Sequence, residues 1–337
     1  MSSVLVTGGT GFIGLHLVEG LLRRGHPVRC LVRPSSNFES LRDLNVELLH
    51  GDIDDAAALS AAARGVEVVF HSAGIIRAYR SQEFYDVNQQ GTRRVAEACA
   101  AQGKPPRLIV VSSIAAAGPT TRGQIRTEAD PPSPVSHYGK SKLGAEMASI
   151  KVAGSVPVTI VRPGIVFGPR DTGFVQVLRG IRRFRCHISP GFHPPALSLI
   201  HVDDLVELLC LAAERGATAP AHENGHRGKG RYYAVAPEHP TYAELGRLVR
   251  PMLGRSYAPI VPLPAPLAYS LGGLNEFVGR LRGRAEDLCI DKIRDALVPS
   301  WACSGESARR DMGFLPARPL AERLRETINW CLANNAL

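Results

Sequence analysis

Tyr138 and Lys142 stand four residues apart, so they share one face of a helix that begins near Ser136. A free tyrosine has a pKa of about 10, too high for efficient proton exchange near neutrality. An ammonium one turn away favours the phenolate and brings the phenol within reach of general acid or base work. Alone, such a pair is an ordinary solvated helix face. Its context is more telling. The apolar run Arg107 to Val111 leads straight into Ser112-Ser113-Ile114-Ala115-Ala116-Ala117-Gly118, which sets a hydroxyl at a strand end.

A second chemistry lies at the start of the chain. Val4, Leu5 and Val6 read as a buried strand, Thr7 to Gly11 as a small-residue turn, and Phe12 to Leu22 as a helix. Gly8 lets the chain turn out of the strand, Gly11 lets the backbone approach a pyrophosphate, and Gly14 lets the helix pack on the sheet. The phosphates would sit on free N–H groups at the positive helix end. A glycine triplet by itself is a weak signal. The strand before it and the helix after it make it a strong one. The spacing is G-x-x-G-x-x-G rather than the commoner G-x-G-x-x-G.

The elements that must position these residues follow in a regular rhythm. Pro27 to Val32 is a second strand and ends at Arg33, followed by Pro34, Ser35 and Ser36. A carboxylate at this point would accept from the ribose 2′-hydroxyl of NAD. A guanidinium instead attracts the 2′-phosphate of NADP. The alternative is an arginine that stacks on adenine and tolerates both cofactors. Val46 to His50 is a third strand, and Asp52 after it can accept from the adenine amino group while Ile53 covers the ring. Asp55 to Arg64 is a crossover helix.

Val66 to Phe70 is a fourth strand, ended by His71-Ser72-Ala73-Gly74, where small residues let the backbone pass the cofactor. His71 reads as a packed strand-end residue rather than a catalytic one. Gln82 to Ala101 is a long helix containing Asn88. The fifth strand is Arg107 to Val111, and the sixth is Val156 to Val161, followed by Arg162-Pro163-Gly164-Ile165-Val166. This alternation predicts an α/β fold, a Rossmann-type doubly wound parallel sheet with helices on both faces. Right-handed crossovers gather the strand C-termini, and with them the glycine turn, Arg33, Asp52, Ser72 to Gly74 and Ser113, at one edge.

Residues 1–168 form the expected nucleotide-binding domain, with parts of 197–215 and 231–236 returning to it. Residues 169–337 are mainly a smaller C-terminal substrate-binding lobe. Within the lobe, Arg179 to Arg185 reads as a solvated basic helix face. Leu197 to Asp204 reads as a strand and the cap of a helix over Leu205 to Arg215. Tyr232 to Ala236 is a short strand, and Thr241 caps a helix to Leu253. His222 and His226 lie in a glycine-rich loop unsuited to a helical metal site, and no metal is expected. Ala258 to Arg284 is Pro-rich and apolar, then amphipathic, then basic. It reads as a lobe helix after an extended arm, or more sharply as a flap over an apolar substrate or a patch that touches a membrane surface.

At 337 residues the chain has room for two domains. The net charge is +9, carried almost wholly by arginine. The arginines are spread along the chain and no nucleic-acid motif accompanies them, so nucleic acid is not the expected partner. A strand within four residues of Met1 leaves no room for a signal peptide, and no apolar run is long enough to span a membrane. Seven scattered cysteines read as reduced thiols in a cytoplasm.

Taken together, TGGTGFIG at 7–14, Gly51-Asp52, Asn88 with Gly91-Thr92, Ser112-Ser113, Tyr138-x-x-x-Lys142, Arg162-Pro163 and His201-Val202-Asp203-Asp204 resemble the extended short-chain dehydrogenase/reductases of the NAD(P)-dependent epimerase/dehydratase type. The likeness covers the whole chain, with its specific motifs in the first 205 residues. It departs from nucleotide-sugar epimerases at Gly164, where they usually carry an asparagine. Arg162-Pro163-Gly164 is closer to the 3β-hydroxysteroid dehydrogenase and dihydroflavonol reductase branches.

The resemblance implies that Tyr138 is the acid/base, that Lys142 also binds the nicotinamide ribose, and that Ser113 positions the substrate oxygen. It implies a cofactor shell completed by Thr10, Phe12, Ile13, Asn88, Val111, Pro163, Gly164 and Val166. A homodimer through the helices around 82–101 and 136–151 is also implied. The expected activity is hydride transfer between NADP, with NAD as the alternative, and an alcohol or ketone that is apolar or steroid-like. Two other readings stay open: a nucleotide-sugar epimerase or dehydratase with a transiently oxidised cofactor, and a non-enzymatic NADP-binding regulator.

Overall fold

Every residue of Val4–Thr7 (β1) is buried, and alternate side chains part company. Val4 and Val6 join one apolar cluster and Leu5 another. Period-two alternation buried on both faces is the mark of a sheet covered by helices on each side. A computed structural model describes residues 3–222, 228–282 and 289–337. It adds Val28–Val32 (β2), Val46–His50 (β3), Val68–His71 (β4), Arg107–Val111 (β5) and Val158–Pro163 (β6). A seventh strand, Arg231–Ala234, completes the sheet. The order is Arg231–Ala234, β6, β5, β4, β1, β2, β3, and every pairing is parallel.

The order reverses between β1 and β4, and at such a switch point a crevice opens beyond the strand ends. One face of the sheet is covered by Leu15, Leu17, Val18 and Leu21 of the helix Phe12–Arg23 and by Leu205, Leu208 and Leu209 of the helix Val202–Arg215. The other face is covered by Leu59, Val95, Ala96 and Ile150. A third cluster, including Phe167, Phe174, Leu178, Leu245, Trp301, Leu324 and Ile328, is drawn mostly from the C-terminal half of the chain and also takes in Ile114, Ala115 and Ala117.

Several boundaries differ from the sequence reading for identifiable reasons. The expected helix from Gln82 to Ala101 is divided into Ser81–Phe84, a π-helical Tyr85–Gln90 and Gly91–Ala100. A widened π turn is a local device that spacing alone does not announce. The helix expected from Leu205 begins at Val202, because the His201 ring caps it by accepting from the Asp203 N–H at 3.3 Å. The sixth strand runs two residues beyond Val161, because its partner Arg231–Ala234 carries the pairing to Pro163. The same pairing begins the seventh strand at Arg231 and ends it at Ala234 rather than Ala236. His226 and residues 283 and 284 lie outside the described residues.

Candidate active site

The turn after β1 is shaped by steric necessity. Gly8 has φ +77°, and a Cβ there would lie 2.6 Å from the Ala73 nitrogen. A Cβ at Gly14 would lie 2.0 Å from the Gly8 carbonyl oxygen. The neighbouring strand-end loop at Ser72–Gly74 and the first helix therefore close on the turn with no side chain between them. Gly11 caps the helix with extended backbone and no side-chain acceptor, so the first N–H groups of the helix face outward at its positive end. Arg33 is exposed beyond β2, its Nε 3.4 Å from the Ser36 hydroxyl. Asp52 accepts from the Ile53 N–H at 2.6 Å. An uncapped helix start and a glycine cradle fit the phosphates of a dinucleotide, and an exposed guanidinium stands past the second strand.

The Tyr138 helix, His137–Ile150, is capped from two sides. Ser136 accepts from the Gly139 N–H at 3.0 Å. Asp291, more than 150 residues away in the lobe, accepts from the His137 and Tyr138 N–H groups at 2.7 and 3.1 Å. A carboxylate at a helix N-terminus is favoured by both the free donors and the dipole. The Ser113 hydroxyl accepts from the Ala115 N–H at 3.1 Å and lines the same cavity as the Tyr138 phenol. Burial pushes Tyr138 up to about 12; the Ser113 hydroxyl opposes this and the Asp295 charge adds to it. Lys142 is buried and donates to the Val111 carbonyl at 2.6 Å, and burial draws its ammonium down to about 8 against the pull of Glu146. Burial dominates at Tyr138 in the protein shell alone; the sequence reading expects Lys142 and the nicotinamide cation together to favour the phenolate.

Beneath the helix lies an ion pair that sequence reasoning missed. Glu146 is fully buried and accepts from Arg162 Nε at 2.9 Å and Nη2 at 2.6 Å. Burial alone would raise this carboxyl, but the Arg162 guanidinium overrides it and holds it below its ordinary value. Ser112 donates to the same carboxylate at 2.5 Å, which leaves Ser113 as the hydroxyl facing Tyr138. The signal was present: Tyr138, Lys142 and Glu146 recur every four residues on one helix face.

Asn88 is buried and its amide is engaged on three sides. It accepts from the Ile75 N–H at 2.8 Å and donates to the Ile75 carbonyl and the Ser141 hydroxyl, each at 3.0 Å. It ties the loop after β4 to the Tyr138 helix. His71 is packed, as its position in the sequence suggests. Its ring nitrogens meet Thr7 at 2.7 Å and Thr92 at 2.9 Å. Thr92 gives its own proton to the Asn88 carbonyl, so it accepts from His71 Nε2–H and the ring is neutral. Burial, and then the charge of Lys142, bring His71 down to about 3.

A cavity of about 310 Å³ opens between Ser113, Tyr138 and the lobe. Its walls include Ile76, Phe84, Ile165, Leu197 and Trp301, with Gly164 at one side. Pro163 ends β6 in full burial. Val166 lies in the short strand Ile165–Phe167, which pairs with Leu199–His201. Asp295 is the cavity's unusual member. One of its carboxylate oxygens is buried without a hydrogen-bond partner, and burial raises the group to about 7, with the Asp291 charge adding to the effect. No spacing in the sequence connects Asp295 or Asp291 to Tyr138. The His201-Val202-Asp203-Asp204 motif is a joint rather than part of this site. Asp204 takes a two-point bond from Arg323, at 3.0 and 2.7 Å, tying Val202–Arg215 to the helix Leu320–Ala333.

The model of the NAD dependent epimerase/dehydratase family matches residues 4–224. The ceramide reductase of Caulobacter vibrioides is 30% identical over 331 residues, spanning 97% of this chain and 93% of its own. Sterol demethylase protein B of Methylococcus capsulatus is 30% identical over 322 residues, spanning 93% and 94%. The crystal structure of gox2253 superposes with a TM-score of 0.80 at 28% identity and covers the whole of both chains.

Proposed function

The chain belongs to the NAD dependent epimerase/dehydratase family and is an NAD(P)-dependent enzyme, and from that premise we propose that it moves a hydride between NADP(H) and an alcohol or ketone on an apolar, lipid-like or steroid-like substrate. The observation that carries this reading is the Ser113–Tyr138 pair opening on a largely apolar cavity of about 310 Å³. Two relatives are named for ceramide and sterol chemistry, which favours the same substrate class. The exposed Arg33 favours the 2′-phosphate of NADP.

When bound, the nicotinamide supplies the hydride or accepts it. The residues of the chain do the rest. Ser113 orients the substrate oxygen toward the Tyr138 phenol. Tyr138 gives its proton to that oxygen as a carbonyl becomes an alcohol, a task for which a group resting as the neutral phenol is suited. Lys142, fixed by the Val111 carbonyl, keeps a positive charge beneath the site. The seven cysteines are all free and five are buried, which supports a reducing cytoplasm as the compartment.

A nucleotide-sugar epimerase is the second reading, favoured by the family description itself. Gly164 weighs against it, because a Cβ there would lie 2.4 Å from the Ser198 carbonyl oxygen and no asparagine can take that place without movement.

The test is NADPH consumption against a panel of long-chain and steroidal ketones. Tyr138→Phe is expected to lower kcat by roughly 10²–10⁴ with NADPH affinity unchanged. Near-normal turnover in that variant would sink the acid/base assignment. Calorimetric titration of UDP into the NADP-loaded protein separates the second reading. Micromolar binding would put the nucleotide sugar first, and no binding leaves the reductase standing.

A further inference from the structure

The helix Ala265–Arg282 is built inside out. Leu267, Leu271, Leu274, Phe277 and Leu281 recur at spacings of four, three, three and four, so they form one stripe. All are exposed, from 41% at Leu271 to 73% at Leu281. The face turned inward is made of small residues: Ala268 and Gly272 are buried, and a Cβ at Gly272 would lie 2.2 Å from Ile293. A helix that merely covered a core would carry its leucines on the other side.

The two-stranded sheet that leads into this helix carries further exposed apolar side chains. His187–Pro190 pairs with Ile260–Leu263, and the registered pair Ile188 and Val261 is exposed on both strands. The Gly191 N–H donates to the Leu263 carbonyl at 2.9 Å, which sets the exposed Phe192 beside the start of the helix. Arg255 donates to the Arg182 carbonyl at 2.7 Å, which brings the exposed Tyr257 to the Phe184 end of the same sheet. Exposed apolar side chains gathered on adjoining elements mark an interaction site.

The charge around the patch is mostly positive, with Glu276 the acidic residue on the helix itself. Residues 172–202 and 245–275, which supply both strands, contain no aspartate or glutamate. They contain Arg179, Arg182, Arg183, Arg185, Arg247, Arg250 and Arg255. We propose that this face docks the enzyme on the surface of an anionic phospholipid bilayer, with the leucine stripe and Phe192 entering the headgroup boundary and the arginines meeting lipid phosphates. A second copy of the chain is disfavoured, since a two-fold contact would press this arginine-rich face against itself. Among the described residues no helix is long and apolar enough to cross a membrane, so the contact is with a surface. The helix Ile290–Ala296, which carries the cavity residues Asp291 and Asp295, packs on the inward side of the same helix and sets the cavity wall next to the docking face. The inference does not rest on the proposed reaction.

The experiment is flotation of the full chain, with NADPH present, on vesicles of phosphatidylcholine alone or mixed with phosphatidylglycerol. The protein is expected to float with the mixed vesicles and to be released by high salt. Leu271→Glu with Leu274→Glu is expected to weaken flotation by tenfold or more. Arg183→Ala with Arg185→Ala is expected to weaken it by roughly tenfold and to flatten its salt dependence. NADPH binding should be unchanged in both variants, which reports that they fold. Absence of the wild-type chain from the floating fraction overturns the proposal, as does undiminished flotation of the leucine variant. Sedimentation of a wild-type dimer that the leucine variant dissolves, with no vesicle binding by either, assigns the stripe to a second copy and likewise overturns it.

Discussion

The nucleotide edge and the C-terminal lobe meet at Tyr138, yet they are built on opposite rules. At the nucleotide edge shape comes from backbone in close approach, with Gly14 set against the Gly8 carbonyl and Asn88 bonded on three sides. Its buried charges are paired, Glu146 with Arg162. In the lobe the helix Ala265–Arg282 turns its leucines outward and makes its inner contacts with glycine and alanine, and a carboxylate oxygen of Asp295 is buried without a partner. The first region is held rigid by close backbone packing and paired polar groups. The second leaves polar and apolar valences open, which is what a region that recognises something outside itself must do. The two are pinned at one point, where Asp291 of the lobe caps the Tyr138 helix.

This contrast can be broken in several places. The largest effect is expected at Glu146. Glu146→Ala leaves Arg162 charged and buried without its partner, and loses about 3–5 kcal/mol in denaturant unfolding. A loss under about 1 kcal/mol would mean the ion pair does not hold the edge together. Next is Arg33→Ser, which removes one charge-assisted contact to a 2′-phosphate. NADPH affinity is expected to fall about tenfold to a hundredfold with NADH affinity unchanged. Equal losses for both cofactors would reassign Arg33 to adenine stacking.

Asp295→Asn probes the lobe's open valence through pH. The folded carboxyl sits near 7, above its ordinary value of 3.8, so between these limits the folded state holds a proton that the unfolded chain has released. Its penalty on stability is absent below about pH 4, grows as pH rises, and is complete above about pH 7. The variant is therefore expected to melt with wild type at pH 4 and above it at pH 8. Removing the Asp295 charge also lowers the Tyr138 pKa, so the alkaline limb of the activity profile should move toward acid. Melting curves that differ equally at both pH values would sink this account.

The smallest effect sharpens the comparison directly. Nothing lies within 4 Å of a Cβ at Gly273, in the middle of the lobe helix, so Gly273→Ala should raise stability by up to about 1 kcal/mol. The same change at Gly14 must move backbone and should lower both stability and nucleotide affinity.

Much of the nucleotide edge was legible because its determinants are local. Strand, glycine turn and helix occupy 20 consecutive residues, Val4 to Arg23, and their periodicities are visible without partners. The crossover helix Ala56–Ala63 was readable from Asp55, which does cap it, accepting from the Ala57 and Ala58 N–H groups. Thr241 with Glu244 forms the capping box its spacing suggests. The π turn at Tyr85–Gln90 was not legible, because inserting one residue into a helical turn leaves the flanking apolar pattern intact. The lobe was read least well. Its strands are short, and three of them pair with segments far along the chain, which no window of sequence reports.

The sequence by itself determined the fold class, the glycine cradle, the Tyr138–Lys142 face and the placing of Arg33 beyond the second strand. Each follows from backbone sterics or helical spacing over a few residues. Only the tertiary structure decided that Glu146 lies beneath the site on Arg162, that Asp291 caps the Tyr138 helix and that Asp295 stands beside Tyr138 with an oxygen unpartnered. It also decided that the leucines of Ala265–Arg282 look outward. Hydrophobic periodicity says that a helix has two faces, but which face is buried depends on what the rest of the chain brings against it. Here the small face met Ile293, and the large one was left for a partner.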